Sequence, residues 1–273
     1  MKPNRIRVDL DAADWKGQWA LVTGASSGIG REFAWQLAAK GIHLALVARR
    51  ATLLHSLATE LTERYGTRAL PIAADLADPS TPRLLRRRLE EEGIRIRLLV
   101  NNAAFGRWGK FELSNSAAYH DMLQVNAYAP VALCRELLPQ LSSFPDSAII
   151  NLSSPAAYQP VPYMAVYAAS KAFVQQFSQA LHGEWTRHGI LVQTLVPGPT
   201  ASEFDTVAGA YASAIEERSP PQEVVTASLN GLAKGDPVVS SARGTWKQRV
   251  FALLPSRLVI RTVGRMFRPP EAE

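Results

Sequence analysis

The stretch Thr23-Gly24-Ala25-Ser26-Ser27-Gly28-Ile29-Gly30 decides the fold of this chain. An apolar run at residues 18–23 leads into it, and apolar residues at helical spacing follow it as far as Gly41. The pattern predicts a buried strand, a glycine-rich turn and a helix. Such a turn suits a phosphate, because glycines let the backbone approach the anion and the free N–H groups of the helix face it. The alternative is a tight strand-to-helix turn that binds nothing.

Strands and helices alternate along the rest of the chain. The pattern predicts further strands at 42–47, 67–73, 96–101, 148–152, 190–196 and 238–239, and helices at 51–65, 80–92, 116–142, 162–188 and 222–234. Nearly continuous apolar strands separated by helices are what a parallel sheet covered on both faces requires. We therefore predict an α/β fold: a doubly wound parallel sheet of the Rossmann type with right-handed crossovers, as a single domain with a C-terminal basic amphipathic helix.

Three segments are expected from this pattern. Residues 1–16 are an N-terminal extension, residues 17–240 form the Rossmann-type catalytic domain, and residues 241–273 are a basic amphipathic tail. The domain includes an irregular stretch at about 198–218, rich in Pro, Ala, Gly and Ser. Long irregular connections in compact domains are usually functional, and we interpret this one as a lid.

Composition excludes several classes of function. Cys134 is the single cysteine, which excludes a disulfide framework and a thiolate metal cluster, and the five histidines are scattered, so no metal site is predicted. The first residues lack the apolar stretch of a secretory signal, and no long uncharged apolar window follows. We expect a cytoplasmic protein that is at most membrane-peripheral.

The net charge of +6 is concentrated at one end of the chain. Residues 237–273 hold seven Lys or Arg and two Glu, whereas the remaining 236 residues hold 23 basic and 22 acidic side chains. Because the main body is balanced, its charge gives no argument for a nucleic-acid partner.

The choice of dinucleotide can be read at the end of the second strand, where an acidic residue would bind an adenosine ribose. The sequence there is Val47-Ala48-Arg49-Arg50, with no carboxylate to repel a 2′-phosphate and two guanidinium groups to hold one. NADP(H) is therefore favoured over NAD(H), which stays possible. Alternatively, the two arginines are a solvated start to the next helix. Asp75 is placed either to accept a hydrogen bond from the adenine amine or to initiate a turn before Pro79.

With these residues in place, the chain resembles the short-chain dehydrogenases/reductases. The glycine-rich turn, Asn101-Asn102-Ala103-Ala104, Asn126, Ser153-Ser154, Tyr167-Ala-Ala-Ser-Lys171 and Pro197-Gly198 occur in that family's order and cover residues 18 to about 240. The resemblance implies a nicotinamide cofactor and oxidoreduction between carbonyl and alcohol. The family's usual Asn-Asn-Ala-Gly carries Ala104 at its fourth position, which puts the backbone clearance near the adenosine half in doubt.

Tyr167 and Lys171 are four residues apart on a predicted helix, so both side chains lie on one face. A nearby positive charge favours the phenolate, and we expect Lys171 to lower the pKa of Tyr167 toward the working pH of an acid/base group. The bland alternative is a core tyrosine. By resemblance, Lys171 also holds the nicotinamide ribose.

Ser154 lies at the carboxyl end of the fifth strand, where ligands gather in open parallel sheets. Its hydroxyl can donate to the substrate oxygen. The interval of thirteen residues to Tyr167 matches the family's and favours Ser154 over its neighbour Ser153. Asn126 resembles the residue that supports a proton-carrying water chain to the lysine; alternatively, it is a buried amide that ties two helices together.

Together these inferences give the expected site. The catalytic residues are Ser154, Tyr167, Lys171 and Asn126. The cofactor-binding residues are Gly24, Ser26, Ser27, Gly28, Ile29, Gly30, Arg49, Arg50, Asp75, Leu76, Asn102, Ala103, Tyr167, Lys171, Pro197, Gly198 and Thr200.

The substrate side is expected to be apolar. The predicted walls are Phe105, Trp108, Tyr158, Val161 and Met164, with Phe204, Val207 and Tyr211 on the lid. Any of the wall residues could equally be ordinary core. They point to a hydrophobic ketone or an acyl-type substrate.

A helix capped by Ser256 is predicted in the tail. One side carries Arg257, Arg261, Arg265 and Arg268, and the other carries Leu258, Val259, Val263, Met266 and Phe267. Our hypothesis is that it contacts an anionic membrane surface, an acidic carrier or a phosphate-bearing acyl substrate. The alternative is packing on its own domain or on a second subunit.

The expected function is NADPH-dependent hydride transfer between nicotinamide and a carbonyl or secondary alcohol. The competing interpretation is a non-enzymatic NADP(H) sensor or scaffold. An epimerase or dehydratase is disfavoured, because little chain is left for a sugar-nucleotide domain. The resemblance implies a homodimer or homotetramer, with the long predicted helices at 116–142 and 162–188 paired across a two-fold axis.

Overall fold

The computed structural model describes residues 6–209, 218–241 and 254–269. Within them, seven parallel strands form one sheet in the order β3-β2-β1-β4-β5-β6-β7. The strands are β1 (Trp19–Thr23), β2 (His43–Ala48), β3 (Ala69–Ala73), β4 (Ile96–Asn101), β5 (Ser147–Leu152), β6 (Ile190–Val196) and β7 (Val238–Ser240). The order reverses between β1 and β4, and a doubly wound sheet binds its ligand in the crevice at that point.

Helices cover both faces of the sheet. They are α1 (Gly28–Ala39), α2 (Ala51–Tyr65), α3 (Thr81–Glu91), α4 (Ser116–Leu123), α5 (Ala129–Leu141), α6 (Ala165–Trp185), α7 (Phe204–Ala208), α8 (Pro221–Lys234) and α9 (Ser256–Met266). Two apolar cores result, one on each face, and β1, β4, β5 and β6 are buried along their whole length. The predicted Rossmann-type fold is confirmed.

The predicted helix at 116–142 is interrupted. Between α4 and α5, the residues Gln124–Tyr128 form a wider π-helical turn. Pro130 at the start of α5 has no N–H to bond the carbonyl four residues earlier, that of Asn126, so the regular ladder is broken here. The wider turn includes Asn126, whose side chain is buried.

The described part of the N-terminal extension packs on the domain. Val8, Leu10 and Trp15 are buried, and the Val8 N–H donates to the Leu232 carbonyl at 3.0 Å. The guanidinium of Arg97 lies 4.0 Å from the centre of the Trp15 ring. This segment therefore contributes to the core.

The tail helix α9 packs on its own domain, as the alternative interpretation expected. Val259 and Val263 are buried against Met122, Val161 and Met164. Just beyond the helix, Trp108 Nε1 donates to the Phe267 carbonyl at 2.8 Å. Ser256 is the first helical residue and does not cap the helix, because Pro255 holds the cap position. The rest of the predicted tail, residues 242–253 and 270–273, and Tyr211 of the predicted lid lie outside the described residues.

Among the described helices, none is both long and apolar enough to span a bilayer.

Candidate active site

A cavity of about 860 Å³ opens at the carboxyl ends of the central strands. One half is lined by the glycine-rich turn and by the ends of β2 and β3, and the other by the end of β5, by α6 and by the lid. The topology therefore brings the predicted phosphate turn and the predicted catalytic groups to one crevice.

The glycine-rich turn is held by close backbone contacts. Gly24 has φ of +66°, and a Cβ there would lie 2.9 Å from Ala103 Cα. A Cβ on Gly30 would lie 2.3 Å from the Gly24 carbonyl oxygen and 2.4 Å from Asn102 Nδ2. The same Asn102 amide donates to the Thr23 carbonyl at 2.8 Å. Side chains are excluded here because the turn and the end of β4 touch.

Arg50 reaches back from the start of α2 to the turn. Its Nη2 donates to Ser26 Oγ at 2.9 Å and to Ser27 Oγ at 3.0 Å, and it forms an ion pair with Glu203 of the lid at 2.8 Å. Arg49 lies on the cavity wall. Arg50 is thus more than a solvated helix start.

Asp75 is a turn residue on the cavity wall, and its hydrogen bond to the adenine amine stays a prediction. Its Oδ1 accepts from the Ala77 N–H at 3.0 Å, which makes it a turn residue, and it also lines the cavity. The cavity wall includes the other predicted cofactor residues Gly24, Ser26, Ser27, Gly28, Ile29, Leu76, Asn102, Ala103, Pro197, Gly198 and Thr200. Gly30 is not on the wall, and its missing side chain allows the close approach of Asn102 and the Gly24 carbonyl. Ala104 also lines the cavity.

Ser154 and Tyr167 meet at the substrate side of the cavity. Ser154 lies two residues beyond the end of β5, and Tyr167 lies in the first turn of α6. Their side chains are hydrogen-bonded. Burial raises the pKa of Tyr167 to about 12, the bond from Ser154 opposes this rise, and the negative charge of Asp205 adds to it. The phenol is therefore protonated at neutral pH.

Lys171 lies one turn further along α6, and its side chain is buried. Its Nζ donates to the Leu152 carbonyl at 2.8 Å, and burial lowers its pKa to about 7. The expected lowering of the Tyr167 pKa by Lys171 is wrong, because burial is the largest effect on the pKa of both groups.

The low pKa of Lys171 makes stability depend on pH. The pKa of a lysine in an unfolded chain is about 10.4. Below about pH 7 the folded protein therefore carries the full free-energy cost of a buried charge. This cost falls as the pH rises from about 7 to about 10.4, so Lys171 destabilises the fold less at high pH. Lys171→Met removes this dependence. We subtract the melting temperature of the unmodified protein from that of the variant. We expect this difference to be larger at about pH 6 than at about pH 9.

Thermal unfolding at several pH values measures this difference. The variant also loses the hydrogen bond to the Leu152 carbonyl, which shifts the melting-temperature difference by the same amount at both pH values. The test therefore depends on how that difference changes with pH. Lys234→Met, at the exposed end of α8, is the control and should show a constant difference. A constant difference for Lys171→Met as well would contradict the buried charge.

Asn126 ties two elements together. Its amide donates to the Phe105 carbonyl at 2.9 Å and to Ser170 Oγ at 3.1 Å, and its Oδ1 accepts from the Phe105 N–H at 3.0 Å. The buried-amide interpretation thus describes its contacts, and the water chain to Lys171 stays a prediction. Ser153 and Ser154 both line the cavity, but Ser153 is buried and its hydroxyl donates to the Lys171 carbonyl at 3.1 Å, which engages its proton within the protein.

The substrate side is walled by apolar side chains. Phe105, Trp108, Val161 and Met164 line the cavity as predicted, but Tyr158 does not. The Tyr158 hydroxyl accepts from Gln175 Nε2 at 3.0 Å, because the short helical turn after β5 aims this side chain at α6.

The described part of the lid covers this side. The ring of Phe204 packs against Tyr167 with 5.1 Å between ring centres, and Val207 lines the cavity. The Trp108 N–H donates to the Ala208 carbonyl at 3.0 Å, which holds α7 against the loop after β4.

Sequence reasoning missed several residues on the cavity wall. Asp205 and Arg218 form an ion pair of 2.7 Å there, and Glu203 contacts Arg50. Met266, Phe267 and Arg268 at the end of α9 complete the wall. The opposite charges in the lid were a usable sign of ion pairing, whereas the position of α9 depends on long-range packing that no local pattern encodes.

The described residues contain no cluster of three or more His, Cys, Asp or Glu that could hold a metal ion.

The family described as short chain dehydrogenase matches residues 18–210. The chain belongs to this family. Membership makes it an oxidoreductase that acts on alcohol and carbonyl groups.

Individual short-chain dehydrogenases show the same relationship. The very-long-chain 3-oxoacyl-CoA reductase of Anas platyrhynchos is 30% identical over 248 residues, which cover 89% of this chain and 78% of that protein. The short-chain dehydrogenase from Sphingobium yanoikuyae in complex with NADPH is 30% identical with a TM-score of 0.78, and the match covers 94% of this chain and 97% of that one. The bulky-bulky ketone specific alcohol dehydrogenase from Comamonas testosteroni is 28% identical with a TM-score of 0.75, over 94% of this chain and 96% of that one. Some curated relatives are longer, and the chain spans only 53% to 62% of three of them.

Proposed function

We propose that this short-chain dehydrogenase reduces a hydrophobic ketone or acyl-type carbonyl compound with NADPH. The observation that carries the proposal is the hydrogen-bonded pair of Ser154 and Tyr167 in the same cavity as the glycine-rich turn and Arg50. A phosphate site and a proton donor that share one crevice are what hydride transfer from a dinucleotide requires.

The residues present fit a nicotinamide dinucleotide. The turn at residues 24–30 leaves no room for side chains, as a backbone cradle for a pyrophosphate requires. Arg49 and Arg50 supply positive charge at the adenosine end, and Lys171 and Thr200 lie at the opposite end of the cavity wall. When bound, the cofactor supplies the hydride.

The chain's own groups would handle the proton and the developing charge. Ser154 Oγ accepts from the Ala156 N–H at 3.2 Å, and its own proton, now directed at Tyr167, would be donated to the substrate oxygen instead. Tyr167 would donate the proton that completes the alcohol, and its high pKa keeps that proton in place before reaction. Lys171, with a pKa of about 7, would stabilise the phenolate that remains. Asn126 would hold the loop at Phe105 and α6 in register.

The substrate class follows from the walls. Trp108, Met164, Phe204 and Phe267 surround the substrate half with apolar surface, so a bulky apolar carbonyl compound suits it better than a small polar one. The names of two relatives agree with this class, since one is a very-long-chain 3-oxoacyl-CoA reductase and the other is specific for bulky-bulky ketones.

A screen of NADPH consumption tests the function directly. The panel should contain bulky ketones, aldehydes and 3-oxoacyl thioesters, with NADH in place of NADPH as the control. We expect turnover with bulky ketones or 3-oxoacyl thioesters and a preference for NADPH. NADPH binding without turnover on any compound would instead support a non-enzymatic sensor or scaffold.

The tail offers a surface for an anionic partner. Arg257, Arg261 and Arg265 are exposed on the outer side of α9, which carries no acidic residue, and Leu258 and Ile260 are exposed beside them. We propose that this side contacts an anionic membrane surface next to the cavity, in an otherwise cytoplasmic protein.

The variant Arg257→Gln/Arg261→Gln/Arg265→Gln tests this contact. Each basic side chain near an anionic bilayer contributes about 1 kcal/mol, so we expect co-sedimentation with phosphatidylcholine/phosphatidylglycerol vesicles to weaken by about a hundredfold. The control Arg83→Gln/Arg87→Gln/Lys234→Gln removes the same charge from α3 and α8 and should bind like the unmodified protein. No binding by the unmodified protein, or equal loss in both variants, would exclude the membrane contact.

We also propose a homodimer or homotetramer. Tyr128 at the start of α5 and Phe173 on α6 are each 48% exposed, and Phe173 stacks on Phe177. Exposed aromatic side chains on two long helices suit an interface between subunits.

A further inference from the structure

The carboxylate of Glu203 binds Arg50, the residue that the sequence analysis assigns to the 2′-phosphate of NADP(H). Its two oxygens lie 3.1 Å from Arg50 Nη1 and 2.8 Å from Arg50 Nη2, and the Ser27 hydroxyl is hydrogen-bonded to it. The same Nη2 is also bonded to Ser26 and Ser27. The contact is bidentate, which is the geometry that Arg uses for carboxylate and phosphate alike.

The carboxylate is charged at neutral pH. The bond from Arg50 holds the pKa of Glu203 below its ordinary value. Apart from Glu203, the printed hydrogen-bond partners of Arg50 are the neutral hydroxyls of Ser26 and Ser27, so Glu203 is the anion paired with this guanidinium. A 2′-phosphate placed at Arg50 would meet this negative charge.

We propose that Glu203 competes with the 2′-phosphate of NADP(H) for Arg50. Through this competition, Glu203 limits the preference for NADPH over NADH. This rests on the proposed function only in that the chain binds a nicotinamide dinucleotide. NADH has no 2′-phosphate, so it does not need to displace the carboxylate.

The position of Glu203 couples this competition to the lid. Ser202, its neighbour, lies against the glycine-rich turn, with its Cβ 3.0 Å from where a Cβ on Gly28 would be. Phe204, on the other side, packs on Tyr167. Release of Glu203 from Arg50 therefore loosens the lid at its start, beside the proton donor.

Glu203→Gln tests the competition by equilibrium binding, without turnover. The pair is about half exposed, with side-chain exposures of 45% and 54%, so a moderate effect is expected. We expect the dissociation constant of NADPH to fall by about fivefold and that of NADH to change by less than about twofold. Adenosine 2′,5′-bisphosphate, which carries the 2′-phosphate without nicotinamide, should show the same tightening as NADPH.

Two further controls separate the mechanism from simple charge. Glu63→Gln removes one exposed negative charge from α2, away from the cavity wall, and it should not tighten NADPH. In an Arg50→Gln background, Glu203→Gln should have no remaining effect, because the competition acts through Arg50.

The outcomes distinguish this proposal from the proposed function. NADPH binding that is unchanged or weaker in Glu203→Gln, or equal tightening of NADPH and NADH, overturns the competition and leaves the function intact. An unmodified protein that binds neither dinucleotide overturns both. Thermal unfolding of Glu203→Gln, expected to match the unmodified protein, shows that any difference comes from the site and not from folding.

Discussion

Tyr167→Phe is expected to reduce turnover by between about a hundredfold and ten-thousandfold, the range typical of a lost general acid. The change deletes the phenol hydroxyl that is bonded to Ser154. The ring itself keeps its contact with Phe204, so the wall of the cavity is preserved. Because the change removes one hydroxyl and keeps the ring in place, we expect the dissociation constant of NADPH to change little.

Tyr158→Phe is the matched control. It removes a phenol from a neighbouring element, where the hydroxyl is bonded to Gln175 and lies off the cavity wall. We expect its turnover to equal that of the unmodified protein. Both variants are measured with the best ketone from the panel, and NADPH binding is followed by its fluorescence. Full activity in Tyr167→Phe would remove this residue from the mechanism.

Gly30→Ala is expected to damage both the fold and the cofactor site. The backbone of Gly30 has an ordinary negative φ, so the cost is purely steric. The new methyl group would lie 2.3 Å from the Gly24 carbonyl oxygen, which is backbone and can give way only if the whole turn moves. Overpacking of this kind costs about 1–3 kcal/mol, and the displaced turn should weaken NADPH binding by at least about tenfold.

Gly183→Ala supplies the opposite expectation. Gly183 lies within α6, and a Cβ there would meet nothing within 4 Å. Alanine should therefore stabilise the protein by about 0.5–1 kcal/mol, as in an ordinary helix interior. Thermal unfolding and NADPH titration of both variants decide the matter, and a Gly30→Ala protein as stable as Gly183→Ala would refute the packing argument.

The sequence was informative wherever local patterns determine structure. The predicted helix at 51–65 and the predicted strands at 96–101 and 190–196 agree with α2, β4 and β6 to the residue. Each is a periodic or apolar run with clear limits, such as Gly66 after α2. The location of the site could also be predicted, because the strand order and the positions of the motifs place the glycine-rich turn near Ser154 and Tyr167.

What the sequence could not supply depends on contacts between distant residues. Whether Arg50 is solvated or bound is decided by Glu203, which lies 153 residues further on. The pKa of Tyr167 depends on how deeply the lid and α9 bury it, and spacing to Lys171 says nothing about burial. The amphipathic pattern of the tail helix is compatible with packing on its own domain and with contact to an outside partner. The helix packs on the domain because Met122, Val161 and Met164 form an apolar site for it.

The buried Cys134 makes the protein its own reporter of unfolding. Cys134 lies on the buried face of α5, and burial raises the pKa of its thiol to about 12. The reactive thiolate is therefore absent from the native state at neutral pH. Since it is the single cysteine of the chain, a thiol reagent can label the polypeptide only when this helix detaches, and it labels only one place. The labelling rate then measures the free energy of opening for every substitution discussed above, in the presence or absence of nucleotide.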